Sequence, residues 1–238
     1  MSEYGGPEVL ALVELPVPEP APDEVLVRVS RAGLNFADTH PRTNTYIAKD
    51  VLPLVPGAED AGVREDTGER VVALVGDGGY AEYATAPRAL TFAIPDEVDD
   101  ASALALLMQG LTAWHLYRTS GRVAPGESVV VHAAAGGVGS LALQLGRPMG
   151  AGRVIATAST PGKRALALEL GADVAVDGAA EGLTERLVEA NLGRPVDVVF
   201  ERPAARSSTP RSRRSRRSGG WWPTASRRAT PTACAAAR

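Results

Sequence analysis

Residues 129–139, VVVHAAAGGVG, read as an apolar strand that runs through an Ala/Gly turn into a helical stretch over 140–145. Glycines at this spacing suit one kind of chemistry. Gly136, Gly137 and Gly139, with Ala135 and Val138 beside them, let the backbone turn tightly and approach a pyrophosphate, whose charge is met by the free N–H groups of the following helix. An Ala/Gly turn of this kind also occurs where a helix merely packs closely on a sheet, so the neighbouring elements decide between the two readings.

Those elements favour a dinucleotide. The chain continues as a strand over 154–158, a helix over 161–170 closed by Gly171, a strand over 173–176, a helix over 183–190 and a strand over 196–200. Strands alternating with helices of this length predict right-handed βαβ units around a parallel sheet, with nucleotide bound beyond the carboxyl ends of the strands. About twenty residues past the glycines an NAD site places Asp or Glu on the ribose 2′-hydroxyl. Here the stretch is Ala156-Thr157-Ala158-Ser159-Thr160-Pro161-Gly162-Lys163-Arg164, with no carboxylate and two cations, which suits a 2′-phosphate. Ser159 and Lys163 are the candidates for it. Solvated charge on the first turn of a helix is the other reading of Lys163 and Arg164, and for Arg164 it is the preferred one.

The first hundred residues are of a different kind. Alternation in Val25-Leu26-Val27-Arg28-Val29, the prolines over 16–22 and the turns at Pro56-Gly57 and over 76–79 predict short strands joined by tight turns. Composition is that of a globular protein, 45% hydrophobic and 22% charged, without an apolar run long enough to span a membrane. The start MSEYGG has neither the basic nor the apolar region of a signal peptide, and one cysteine makes no disulfide framework, so a cytoplasmic enzyme is expected.

From residue 2 to residue 201 the chain resembles the zinc-independent quinone oxidoreductases, the zeta-crystallin-like group of the medium-chain dehydrogenase/reductase superfamily. The stretches that carry the resemblance are EYGGPEVL, PDEVLVRVSRAGLNFAD, VPGAEDAG, GGYAEYA, LLMQGLTAWHL, APGESVVVHAAAGGVGSLALQL and KRALALELGADVAVD, in the family's order. The resemblance implies an α/β protein: a GroES-like, mostly-β substrate domain over 1–100, a partial Rossmann doubly wound parallel sheet over 101–201, and a disordered basic tail over 202–238. It implies NADPH as cofactor and a quinone or enone as acceptor. A helix over 101–117 would cross between the domains and set Thr112 near the nicotinamide. Relatives often carry Tyr after the residue matching Asp177, where this chain has Gly178. A homodimer of the family kind is open on the resemblance and doubtful for a chain cut short.

Zinc is argued out on residue types. The positions matching the superfamily's ligand motifs hold Asn35 and Ala58, neither of which binds zinc, and Cys234 alone cannot build a structural site. His40, His115 and His132 are too scattered to substitute. Without a metal, the acceptor is held beside the nicotinamide and protons come from side chains or water. Asn35, Asp38 and Tyr46 are the polar groups the resemblance places around it, Asn35 as donor to a carbonyl oxygen and Tyr46 as a stacking or hydrogen-bonding partner. Closing a turn is an equal reading of Asp38, and packing an alternative for Tyr46.

The net charge of −3 hides a division. All 28 acidic residues and 15 of the 25 basic ones lie at or before Glu201, leaving −13 on the body and +10 on the tail. The tail has no period of 2 or 3.6 apart from Trp221-Trp222. An arm for nucleic acid is one reading of such a segment, but none is expected, because the resemblance stops abruptly at Glu201 and a shifted reading frame accounts for both facts. Read in the frame one base earlier, Trp221-Trp222-Pro223 becomes Val and then Ala, and the tail regains a helical pattern followed by a strand. A truncated dinucleotide-binding remnant is the alternative to a working enzyme.

Overall fold

A computed structural model of the chain describes residues 1–45, 51–201 and 224–227. It divides into two compact units, Met1–Leu111 and Thr112–Arg238.

The first unit is built on a five-stranded antiparallel sheet of β1 (Glu24–Ala32), β2 (Glu59–Arg64), β3 (Arg70–Leu74), β4 (Tyr83–Pro87) and β5 (Thr91–Ala93), in the order β4-β1-β2-β3-β5. Two-residue alternation sorts its side chains onto two faces. Val25, Val27, Val71, Ala73, Ala84 and Ala86 pack on one side. On the other, Ala61, Val72 and Ile94 pack with Ala103, Leu104 and Leu107. The helix that supplies Ala103 and Leu104 is α1 (Asp100–Ala105), capped by Asp99, whose carboxylate accepts from the Ser102 amide. It widens into a π-helical stretch, Leu106–Gly110, before α2 (Leu111–His115). A second π-helical stretch, Leu116–Ser120, ends the helical run, which is longer than the helix expected over 101–117.

The second unit holds β6 (Ser128–Val131), β7 (Arg153–Ala158), β8 (Val174–Asp177) and β9 (Val198–Glu201), all parallel, in the order β9-β6-β7-β8. Numbered from β6 this is the 3-2-1-4 order of a doubly wound sheet, with its topological switch point between β6 and β9. Helices α3 (Gly137–Gly146), α4 (Pro161–Glu169) and α5 (Leu183–Ala190) make the crossovers. Val129 and Val131 pack among one set of buried residues with Ala142, Leu143 and Val154, while Val130 joins Ile155 and Ala190 in another. Burial on both faces explains why these strands read as continuous apolar runs. Tyr117 anchors the first set: its ring stands edge-on to Phe200 at 4.7 Å and its hydroxyl donates to the Ala142 carbonyl at 2.8 Å.

The expected α/β architecture, a mostly-β unit followed by a parallel Rossmann-like sheet, is the one adopted. At four residues the tail departs from the disorder expected for it. Thr224–Arg227 forms β10, which pairs antiparallel with β9 and covers its outer edge. Backbone groups alone make such a ladder, so no apolar alternation is needed to add a strand to an open edge. The rest of 202–238 lies outside the described residues.

Candidate functional site

In the first unit a set of polar side chains gathers where the β1–β2 connection passes the π-helical stretch. Asn35 starts the 3-10 turn Phe36–Thr39, and its backbone N–H donates to Asp38 Oδ2 at 2.7 Å, closing the turn from within. The same Asp38 oxygen accepts from the Tyr80 hydroxyl at 2.7 Å. Burial, followed by this bond to a carboxylate, holds the Tyr80 phenol above its ordinary range. Asp38 therefore carries out the turn-closing role that its sequence context allowed. Tyr46 lies outside the described residues.

The side chain of Asn35 is engaged at both ends. Its Nδ2 donates to Glu59 Oε1 at 2.8 Å, and its Oδ1 accepts from Gln109 Nε2 at 3.3 Å. The other Glu59 oxygen accepts from the Met108 backbone N–H at 3.0 Å, an amide presented by the widened helical turn. Glu59 reaches these partners by passing Gly33 so closely that a β-carbon on Gly33 would lie 2.4 Å from Glu59 Cγ. Only glycine leaves that passage open.

Burial pushes the Glu59 carboxyl up, against the hydrogen bonds from Asn35 and Met108. Its neighbour Asp60 is fully buried on the central strand, and among the described residues neither of its carboxylate oxygens has a hydrogen-bond partner. Burial first, and then the Glu59 charge, raise Asp60 to about 7. Sequence reasoning missed Glu59, Asp60, Tyr80 and Gln109. The stretches VPGAEDAG, GGYAEYA and LLMQGLTAWHL contain all four, but nothing in their spacing joins them.

In the second unit the glycine run sits at the carboxyl end of β6. Ala133, with φ of 50°, turns the chain out of the strand, and Gly136 N donates to its carbonyl at 2.9 Å. Helix α3 then begins at Gly137 without a side-chain cap, so the first-turn amides of Gly137, Val138 and Gly139 are presented at a positive helix end. A β-carbon on Gly139 would lie 2.5 Å from the Ala133 carbonyl oxygen and 2.8 Å from Ala134 Cα. The helix approaches the turn that closely because glycine is there. Ala135 and Val138 are half-buried, and Gly136 and Gly137 are exposed.

Ser159 and Lys163 are exposed beyond the end of β7, the neighbour of β6, with Thr160 capping α4 through the Lys163 amide. Arg164 is committed elsewhere, donating to the Ala158 carbonyl and to Asp177 Oδ2, each at 3.0 Å. Beneath the turn, His132 Nδ1 hydrogen-bonds Thr157 Oγ1 at 2.8 Å, and burial holds its imidazole below the usual range despite Glu201 nearby. Thr112 is half-buried in α2. An uncapped helix end beside a cradle that a β-carbon would fill fits a pyrophosphate. Among the described residues, no three His, Cys, Asp or Glu side chains converge as metal ligands.

Comparison with known proteins follows the same two units. Residues 21–96 match the alcohol dehydrogenase GroES-like domain family, and residues 137–221 the zinc-binding dehydrogenase family. The chain is similar to a probable quinone oxidoreductase of Schizosaccharomyces pombe, 39% identical over 211 residues that make up 84% of this chain and 63% of that protein. It thus spans just under two thirds of that relative's length. A solved probable oxidoreductase of Mycobacterium abscessus is 33% identical with a TM-score of 0.78, over 85% of this chain and 68% of that one. The Escherichia coli quinone oxidoreductase, solved in complex with NADPH, is 34% identical with a TM-score of 0.79, over 84% and 64% of the two chains. With both halves of the fold matched in order, the chain belongs to the medium-chain dehydrogenase/reductase superfamily.

Proposed function

We propose that the chain binds NADPH at the carboxyl end of its parallel sheet and reduces a quinone or related enone without zinc. The observation that carries this reading is the uncapped start of α3 against the Ala133 turn, open because residue 139 is glycine. Amides of Gly136, Gly137, Val138 and Gly139, with Ala135 shaping the turn, would hold the pyrophosphate. Ser159 and Lys163 would take the 2′-phosphate, where no carboxylate repels it. The match to an Escherichia coli relative solved with NADPH supports that choice. Thr112 is assigned to the nicotinamide end.

When bound, the nicotinamide supplies a hydride. In the first unit, Asn35 would donate from Nδ2 to the acceptor's carbonyl oxygen, stabilising the charge that develops there as the carbonyl is reduced. Asp38 and Tyr80 keep the Asn35 turn in shape, and the proton that completes reduction comes from water. Tyr46 is assigned to the acceptor as a stacking partner. Asn35 and Ala58, at the positions matching zinc ligands, supply neither thiolate nor imidazole.

Titration of the purified full chain with NADPH and NADH, followed by NADPH oxidation with a simple quinone, tests the reading. Saturable binding that favours NADPH, turnover unaffected by a chelator, and no stoichiometric zinc in elemental analysis are expected. Failure to bind either cofactor overturns it. Binding without turnover in any quinone selects the remnant instead.

A further inference from the structure

We infer that Gln109 is a positioning residue, which locks the Asn35 amide in the orientation that leaves one Nδ2 hydrogen for an acceptor oxygen. The inference rests on the proposed role of Asn35 and adds to it the residue that fixes its direction.

An asparagine amide has nearly the same shape in its two flipped forms, but its oxygen accepts while its nitrogen donates two hydrogens. Its orientation is therefore set by what faces each end. Glu59 Oε1 faces Nδ2 at 2.8 Å and Gln109 Nε2 faces Oδ1 at 3.3 Å, and the Asp38 backbone N–H, directed at the Asn35 side chain in the capping turn, favours the same orientation. Flipping the amide would set oxygen against carboxylate and N–H against N–H. Glu59 cannot turn aside, because its second oxygen is held by the Met108 amide and its stem is confined by Gly33. Yet Glu59 alone is an imperfect lock. Its carboxyl is raised by burial, and once protonated it can donate to an oxygen as well as accept from an N–H. Gln109 does not titrate. Its Nε2 is steered towards Asn35 by a second acceptor, the Leu34 carbonyl at 3.4 Å. Met108 and Gln109 are neighbours in one π-helical stretch, so a single widened turn supplies both restraints.

Glu59 takes one Nδ2 hydrogen and leaves the other. In the flipped form, the group offered to an acceptor oxygen would be Oδ1, which repels it.

Two variants of the full chain test this, Gln109→Ala and Gln109→Glu, each checked for a cooperative melt. The first readout needs neither cofactor nor quinone: the ¹⁵N-resolved side-chain amide signals of Asn35, followed from pH 5 to 8. Wild type, measured over the same range, controls for the other ionisable groups nearby, Asp38, His40, Glu59 and Asp60. Gln109→Ala should move and broaden the Asn35 pair. Gln109→Glu should move it near neutrality, where the new carboxylate faces Oδ1, and restore it as acid protonates that carboxylate. The second readout is quinone reduction: kcat should fall about tenfold in Gln109→Ala, about 1.4 kcal/mol, with the affinity for NADPH unchanged. In Gln109→Glu it should recover towards acid pH. Asn35 signals indifferent to both variants overturn the inference, as does an unchanged kcat. A wild-type chain that reduces no quinone overturns the proposed function instead, and the amide signals tell the two failures apart.

Discussion

Arg164 and Asp177 form an ion pair across 13 residues, Nη1 to Oδ2 at 3.0 Å, with a second Arg164 bond to the Ala158 carbonyl. The pair ties the first turn of α4 to the end of β8. It also sets two adjacent cations apart. Arg164 is engaged within the fold, and Lys163 is exposed.

Lys163→Ala should accordingly weaken NADPH about tenfold while leaving NADH almost unchanged, as loss of one charge-assisted contact to the 2′-phosphate requires. Arg164→Ala should lower the melting temperature slightly and leave the preference between the cofactors as it was. Parallel titrations of both variants check this, and equal losses for the two cofactors on Lys163→Ala would remove Lys163 from the site.

Two glycines in the same unit should respond to alanine with opposite signs. At Gly139 the added carbon meets backbone at 2.5 Å, so helix and turn must part, at a cost of about 1–3 kcal/mol and with weaker NADPH binding. At Gly162, inside α4, it meets nothing within 4 Å, and alanine should stabilise by about 0.5–1 kcal/mol. Thermal melts of the two variants decide it. A Gly139→Ala variant that melts and binds like wild type would contradict the close approach.

Asp60 predicts a pH dependence. Its folded value of about 7 is above the ordinary 3.8, so the folded state keeps a proton that the unfolded chain has lost. Its contribution is fully present below about 4 and is lost as pH rises to about 7, amounting to about 4 kcal/mol. Glu59, raised by the same burial, acts in the same sense. His132, held neutral by burial, acts in the opposite sense on the acid side. Asp60→Asn should therefore raise the melting temperature at pH 8, change it little at pH 4.5, and flatten the profile between. A variant no more stable than wild type at pH 8 would count against a protonated Asp60.

The tail offers a comparison of two edges. As written, it covers β9 with the antiparallel β10, four residues paired through backbone. A tail recoded in the frame that restores a helix and a following strand should cover that edge in parallel and bury a helix on the sheet. The recoded chain should melt higher and aggregate less. Equal melting temperatures and solubility for the two chains would show that the written tail completes the sheet as well.

The alternation of strands and helices and the turn at the glycines were legible in the sequence, because both are local patterns. Residues 183–190 read as a helix, and α5 is Leu183–Ala190. The apolar run before the glycines is β6, buried on both faces. Helix α3 begins at Gly137, earlier than the expected 140, since glycines conceal a helix start that no side chain caps. Asn35 was a candidate by resemblance alone, and its geometry was not legible. Its partners Glu59 and Gln109 are 24 and 74 residues away, and Tyr80 is 42 from Asp38. Hydrophobic period fixes which face a residue takes, whereas partners at such separations depend on strand register, on the passage left by Gly33 and on a π-helical turn. These exist only once the chain has closed on itself, and so does the burial that strips Asp60 of water and raises its carboxyl.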